Sequence, residues 1–170
     1  SSDLATCENK SVTSTSDQQQ YDLIITDPPY GDDVQYGELS EFFYVWMYRI
    51  LSEYYHELPP RVSLDEDYCE SQGRFSNKKM AKQFFGSGLK KSFKSLNAKL
   101  KDDGLLMILF AHSSTEAWNQ FLAAIQGARF RIVSSYAVHT ELATNPLARN
   151  KASFMSSIMV TCRKISVESV

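Results

Sequence analysis

Cysteine is scarce in this 170-residue chain: Cys7, Cys69 and Cys162 are an odd number, and no two stand in a CxxC spacing. That argues against a disulfide framework and against a zinc site, so no metal is expected. It is also the usage of a reducing compartment, and a cytoplasmic location is expected. Long apolar runs are missing too. None approaches the roughly 20 residues that span a bilayer, and Ser1 to Gln20 holds no apolar core of a secretory signal, so no membrane partner is expected. Glycine is sparse: of Gly31, Gly37, Gly73, Gly86, Gly88, Gly104 and Gly127, only Gly86 and Gly88 stand close together. They fall inside a helical pattern, so no glycine-rich turn follows a strand. A charge excess is absent as well. The net charge is −2, whereas a chain gripping nucleic acid by its global field is basic, so any such surface would be local. What remains is ordinary for a soluble globular chain: 43% hydrophobic and 22% charged residues, with length for one domain over residues 1–170 and a sizeable core.

The organising stretch is YDLIITDPPYG, Tyr21 to Gly31. Leu23, Ile24 and Ile25 form a short apolar run that predicts a buried parallel strand. Pro28 and Pro29 cannot continue a ladder, since each lacks an N–H and has its φ locked. The chain therefore leaves the sheet at Asp27, on the carboxyl side of a strand, where open α/β sheets put their ligand crevices. Each proline also confines the residue before it to extended backbone. The Asp27 carboxylate and the Pro28 carbonyl become acceptors with little freedom. Two fixed acceptors suit a planar NH₂ group. Holding both hydrogens of a ring amine out of plane would localise its lone pair and aim it at an electrophile. Tyr30 offers an aromatic face on which a base could stack, worth about 1–3 kcal/mol.

Asp27-Pro28-Pro29-Tyr30 after an apolar strand resembles the signature of the DPPY amino-methyltransferases. The likeness runs on through TDPPYGDDVQYGELSEFFYVWMYRIL (Thr26 to Leu51), FAHSSTEAW (Phe110 to Trp118), HTE (His139 to Glu141) and SSIMVTCRK (Ser156 to Lys164). In these segments the chain is similar to large prokaryotic adenine-specific DNA methylases. The resemblance implies S-adenosyl-L-methionine as cofactor and methyl transfer to adenine N6 in DNA. Asp27, Pro28, Pro29 and Tyr30 would be catalytic, with Asp27 also near the cofactor. It further implies an α/β fold: the C-terminal half of a Rossmann-like methyltransferase, a mostly parallel sheet ending in an antiparallel hairpin. The first strand, whose loop holds the methionine end of the cofactor, and the two strands after it have no counterpart. The chain is therefore expected to be part of a larger protein or to be completed by a partner chain. Asp3 sits where this fold places an acidic residue against the cofactor's adenine; a solvated aspartate is the other reading.

Along the rest of the chain, Asp32 and Asp33 read as turn and capping residues in preference to a second acidic pair for acid–base work or a metal, and Tyr36 as a second stacking surface or a cover for the helix that follows. That helix is expected from Glu38 to about Tyr54. Leu39, Phe42, Phe43, Trp46 and Ile50 form one apolar stripe, expected to be core. Residues 56–77 break the pattern with Pro59-Pro60 and an acidic run, a loop insertion that is either a lid or a mobile surface loop. Lys78 to Leu100 resumes helix, burying Met80, Phe84, Leu89, Phe93, Leu96 and Leu100. Its many lysines meet either solvent or phosphates. Asp102-Asp103-Gly104 is a predicted turn before a strand over Leu105 to Phe110. His112 follows at the strand's ligand end, where it would either touch the base or cofactor or bond nearby loops. Ser113 and Glu116 match a capping box for a helix to about Gln126, stopped by Gly127. Strands over Arg129 to Val138 and Ser156 to Arg163 have no helix between them, which suggests an antiparallel pair. The connection between them carries Thr140, Glu141, Arg149 and Lys151, candidates for nucleic-acid contact.

The four signature residues do not choose between DNA and RNA or between adenine N6 and cytosine N4. A third possibility is a non-catalytic interaction module, favoured by the missing glycine-rich turn and opposed by the intact Asp27 to Tyr30.

Overall fold

The computed structural model describes residues 5–8, 10–14, 19–32, 34–138 and 157–165. Its elements in chain order are β1 (Tyr21–Thr26), α1 (Tyr36–Leu51), α2 (Lys78–Lys99), β2 (Leu100–Phe110), α3 (Thr115–Gly127), β3 (Phe130–Val138) and β4 (Ser157–Lys164). The strands form one open sheet in the order β1-β2-β4-β3. β1 pairs with β2 in parallel, and β4 is antiparallel to both β2 and β3. Three strands thus point one way with β4 reversed between two of them. The α/β class and the closing antiparallel pair are as expected, while only one of the three ladders is parallel.

The core lies between this sheet and the α2–α3 layer. Leu106, Ile108 and Phe110 alternate inward from β2 and meet Phe85, Leu89 and Phe93 of α2 and Phe121 and Ile125 of α3. Phe110 stacks on Phe121 with ring centres 4.3 Å apart, and Trp118 stands edge-on to Phe110 at 4.9 Å. Burying aromatics of this size supplies most of the driving force in a domain like this. Gly88 lets α2 come close to the loop before it: a Cβ there would lie 2.1 Å from Cγ of Tyr68.

Several boundaries differ from expectation for local reasons. β2 starts at Leu100, because the predicted turn at Asp102 and Asp103 is an irregularity within the strand, between the Tyr21–Leu100 and Leu23–Leu105 pairs. The cap of α3 is Ser114, whose side chain accepts from the Glu116 N–H at 3.2 Å. Adjacent serines satisfy the capping pattern equally, and geometry selects the second. The helix closes through Arg129, at φ 61°, whose N–H bonds Gln126 O at 2.9 Å.

Two burial expectations are corrected. β1 is an edge strand, not a buried one: Ile24 packs on the core, but Leu23 and Ile25 are exposed on the face that α2 and α3 do not cover. Likewise the α1 stripe is not core. Phe42 is 64% and Trp46 57% exposed, and Leu39, Phe43 and Ile50 are exposed with them. Periodicity marks which side of a helix is apolar, not whether a layer stands there to receive it. Among the described elements, α1 packs against no helix or strand as α2 and α3 pack against each other. Met80, expected inward from α2, is also exposed. No helix among the described residues is long and apolar enough to cross a membrane.

Candidate functional site

The site forms where β1 and β2 end side by side. Thr26 pairs with Ile108, so the Asp27 turn emerges next to the end of β2. Asp27 is exposed. The Tyr30 hydroxyl donates to Asp27 Oδ1, and the Tyr30 ring stands edge-on to Phe110 with centres 5.5 Å apart. Ser157, the first residue of β4, reaches the same hydroxyl because β4 runs antiparallel to β2. Burial, followed by the bond to Asp27, pushes the Tyr30 hydroxyl well above the usual phenol range, so it stays a donor. Tyr36 opens α1, half-exposed. Gly31 follows at φ 77°, a conformation that favours glycine, and a Cβ there would lie 3.2 Å from His112 Nε2.

His112 is committed on both ring nitrogens. Its Nδ1 accepts from the Ser114 N–H at 2.9 Å, which places the neutral ring's proton on Nε2, facing Asp32 Oδ1 at 3.2 Å. The Trp118 indole donates to the His112 carbonyl at 2.9 Å. Of its two expected roles, these contacts are those of a loop-binding histidine, joining the turn after β1 to the start of α3. Asp32 acts as the turn residue it was expected to be. Asp33, Asp3, His139, Thr140, Glu141, Arg149 and Lys151 lie outside the described residues.

The segment between α1 and α2 is tied down by polar contacts, not laid loosely over the surface. The Glu70 N–H donates to Gly31 O at 2.8 Å. Arg74 forks onto Glu38, with Nε to Oε1 at 2.7 Å and Nη2 to Oε2 at 2.5 Å, and bonds Asp67 Oδ2 at 2.5 Å and Asp67 O at 2.9 Å. Asp67 in turn accepts from the Gly37 N–H at 2.9 Å, an anion set at the start of α1, whose own Gln35 cap makes no side-chain bond. Arg74 is the first cause that holds the Glu38 carboxyl down to about 2. Glu38, Asp67 and Cys69 bring three metal-type ligand atoms together, but the Arg74 guanidinium already bonds both carboxylates and the Cys69 sulfur. Burial pushes the Cys69 thiol up to about 11, so it is no ready nucleophile.

Beside this wall lies a cleft of about 120 Å³, lined by Asp32, Glu70, Lys82, His112, Glu116 and Gln120 among others. Of the crowded lysines, Lys82 pairs with Glu116 and Lys101 with Asp22. Sequence reasoning brought Asp27, Tyr30, Tyr36 and His112 to one end of the sheet but missed Glu70, Asp67 and Arg74. No local pattern marks those three, because the contacts that tie each of them to the Asp27 turn or to α1 span 30 or more residues. No protein-family model matches this chain, and no curated protein matches it.

Proposed function

We propose that the chain carries the amine-holding corner of an amino-methyltransferase acting on an exocyclic amine of a nucleobase, adenine N6 in DNA in the first instance. The observation that carries this reading is the exposed Asp27 carboxylate, oriented by the Tyr30 hydroxyl at the carboxyl end of a parallel-paired strand. With one oxygen fixed by Tyr30, the other can accept from an incoming NH₂ beside the Pro28 carbonyl. The prolines hold both acceptors in place, so little is lost to reorganisation when charge develops on the nitrogen. The Tyr30 ring, set by Phe110, is the stacking surface, and a base in duplex would first have to be flipped out at a cost of a few kcal/mol. S-adenosyl-L-methionine would supply the electrophilic methyl group. Asp27 is the described residue that the resemblance sets near that cofactor; beside it a Cβ on Gly31 would crowd His112, and Gly31 O accepts from the Glu70 N–H. The described residues thus offer part of a cofactor cradle, and the remainder would come from further strands at the open edge of β1. RNA, or cytosine N4, would be handled by the same acceptors.

The second reading, an interaction module without catalysis, is favoured by the uncovered apolar side of α1. Methyl transfer to DNA and RNA by the complete protein, with and without Asp27→Ala, separates them. Loss of transfer in the variant supports the assignment; undiminished transfer refutes it. Calorimetric titration of this chain with S-adenosylmethionine then tells whether these residues suffice for cofactor binding.

A further inference from the structure

Glu70 is the least explained polar residue in the molecule. Its side chain lines the cleft beside the Asp27 turn, the residue is only 7% exposed, and Oε1 has no hydrogen-bond partner among the described residues. Gln120 Oε1, buried against Gly86 in the same cleft, has none either. Of the other charges around them, Lys82 pairs with Glu116 and Asp32 faces the His112 Nε2–H, while Lys78 lines the cleft and acts on Glu70 through its charge, with no hydrogen bond to Oε1. Burial of an acceptor without a donor is costly, and native structures rarely leave it so. Both orphaned atoms are acceptors, so what they lack is N–H or O–H donors.

We propose that this cleft is a binding site for a small cation bearing several N–H donors, of the ammonium, primary-amine or guanidinium class. Counted by charge, the walls bring three carboxylates, Asp32, Glu70 and Glu116, against the ammonium groups of Lys78 and Lys82, leaving one negative charge for a monocation to neutralise. The volume, near 120 Å³, admits a group of a few heavy atoms or several waters. A hard divalent metal fits less well. It needs oxygen ligands converging within about 2.6 Å of the ion, and among the described residues the only trio of metal-type ligand atoms drawn together, Glu38, Asp67 and Cys69, includes a thiol and lies outside this cleft. That neighbouring cluster shows the chemistry at work, because there a guanidinium from the chain itself, Arg74, bonds two part-buried carboxylates. The Glu70 cleft poses the same electrostatic problem with no guanidinium of its own. Because the Glu70 backbone also holds Gly31 O, an occupant would stiffen the turn that presents Asp27. The inference stands whether or not that turn transfers methyl groups.

The test is titration of the ¹⁵N-labelled chain with ammonium, methylammonium and guanidinium chlorides at millimolar concentration, against sodium and tetramethylammonium at matched ionic strength. Saturable shifts at the Asp32, Glu70 and His112 amides with the three N–H donors alone, lost in Glu70→Gln, are expected. Glu116→Gln is the second variant. It releases Lys82 to compete for Glu70, and should weaken binding several-fold while leaving the Glu70 side chain in place. Shifts of equal size with tetramethylammonium or sodium, saturation retained in Glu70→Gln, or unchanged affinity in Glu116→Gln would overturn the proposal. So would the absence of any saturable shift, which would mean that the cleft holds water alone.

Discussion

Replacing Arg74 by methionine tests whether the segment before α2 is a fixed wall of the site. Methionine keeps most of the aliphatic stem, so the change removes the guanidinium without opening a large void. Lost with it are the fork onto Glu38, the bond to Asp67 Oδ2 and the bond to Asp67 O. Removing one member of a buried ion pair costs about 3–5 kcal/mol, since the partner is left charged and unpaired. Here Arg74 is 13% exposed but Glu38 is 37% exposed, so water recovers part of that loss. Asp67 also keeps its bond from the Gly37 N–H. A destabilisation of about 2–4 kcal/mol is therefore expected, a fall of roughly 5–15 °C in melting temperature for a domain of this size. The pH dependence carries the sign. Glu38 is held at about 2 in the folded chain, against an ordinary 4.5. Its contribution is thus fully present above the ordinary value and lost as pH falls toward 2. The gap between wild type and variant, read by urea denaturation, should narrow across that window. Limited proteolysis should also cut the variant faster between residues 52 and 77. A difference below about 0.5 kcal/mol at neutral pH, the level of an ordinary surface pair, would refute the argument that this cluster anchors the wall.

Glu70→Gln should give a pH effect of opposite sense. Burial, then the charge of Asp32 and more weakly that of Glu116, raise the Glu70 carboxyl against the opposing pull of Lys82 and Lys78. The folded state therefore binds the extra proton, and Glu70 lowers stability as pH rises through and above the ordinary carboxylate range. The variant should match wild type in acid and exceed it at neutral pH, as read by denaturation at a series of pH values. Gly88→Ala should destabilise by about 1–2 kcal/mol despite alanine's helix preference, because the new methyl would meet the Tyr68 ring at 2.1–2.2 Å. Arg129→Gly should stabilise by up to about 1 kcal/mol, as the position holds φ 61°; thermal melts check both. Phe42→Ser and Trp46→Ser should change the stability of the chain by less than about 0.5 kcal/mol, whereas Phe121→Ala should cost about 3–5 kcal/mol. Stability losses of several kcal/mol in the α1 variants would show that the stripe is covered after all.

What the sequence made legible here is what local chemistry decides alone. Pro28 and Pro29 stop a strand whatever surrounds them, so the exit of Asp27 from the sheet could be read without a structure. The α2 residues Leu89, Phe93 and Leu96 are buried as their spacing implied. The capping of α3 was legible to within one residue, since Ser113 and Ser114 differ only in backbone geometry that neither residue type dictates. The Arg74 cluster was invisible for a different reason. Glu38 and Arg74 are 36 positions apart, and no periodicity links an acidic residue in a helix's first turn to an arginine in an irregular segment. The stripe on α1 marks the boundary between the two cases. Its spacing identified the apolar side correctly, and the inference to burial failed because burial belongs to a pair of surfaces. The same holds for Leu23 and Ile25 on β1, whose inward neighbour Ile24 found its layer while they did not. A run of apolar residues therefore states a demand for a neighbour. Only the assembled sheet, with α2 and α3 on one face, shows which of those demands the chain meets by itself.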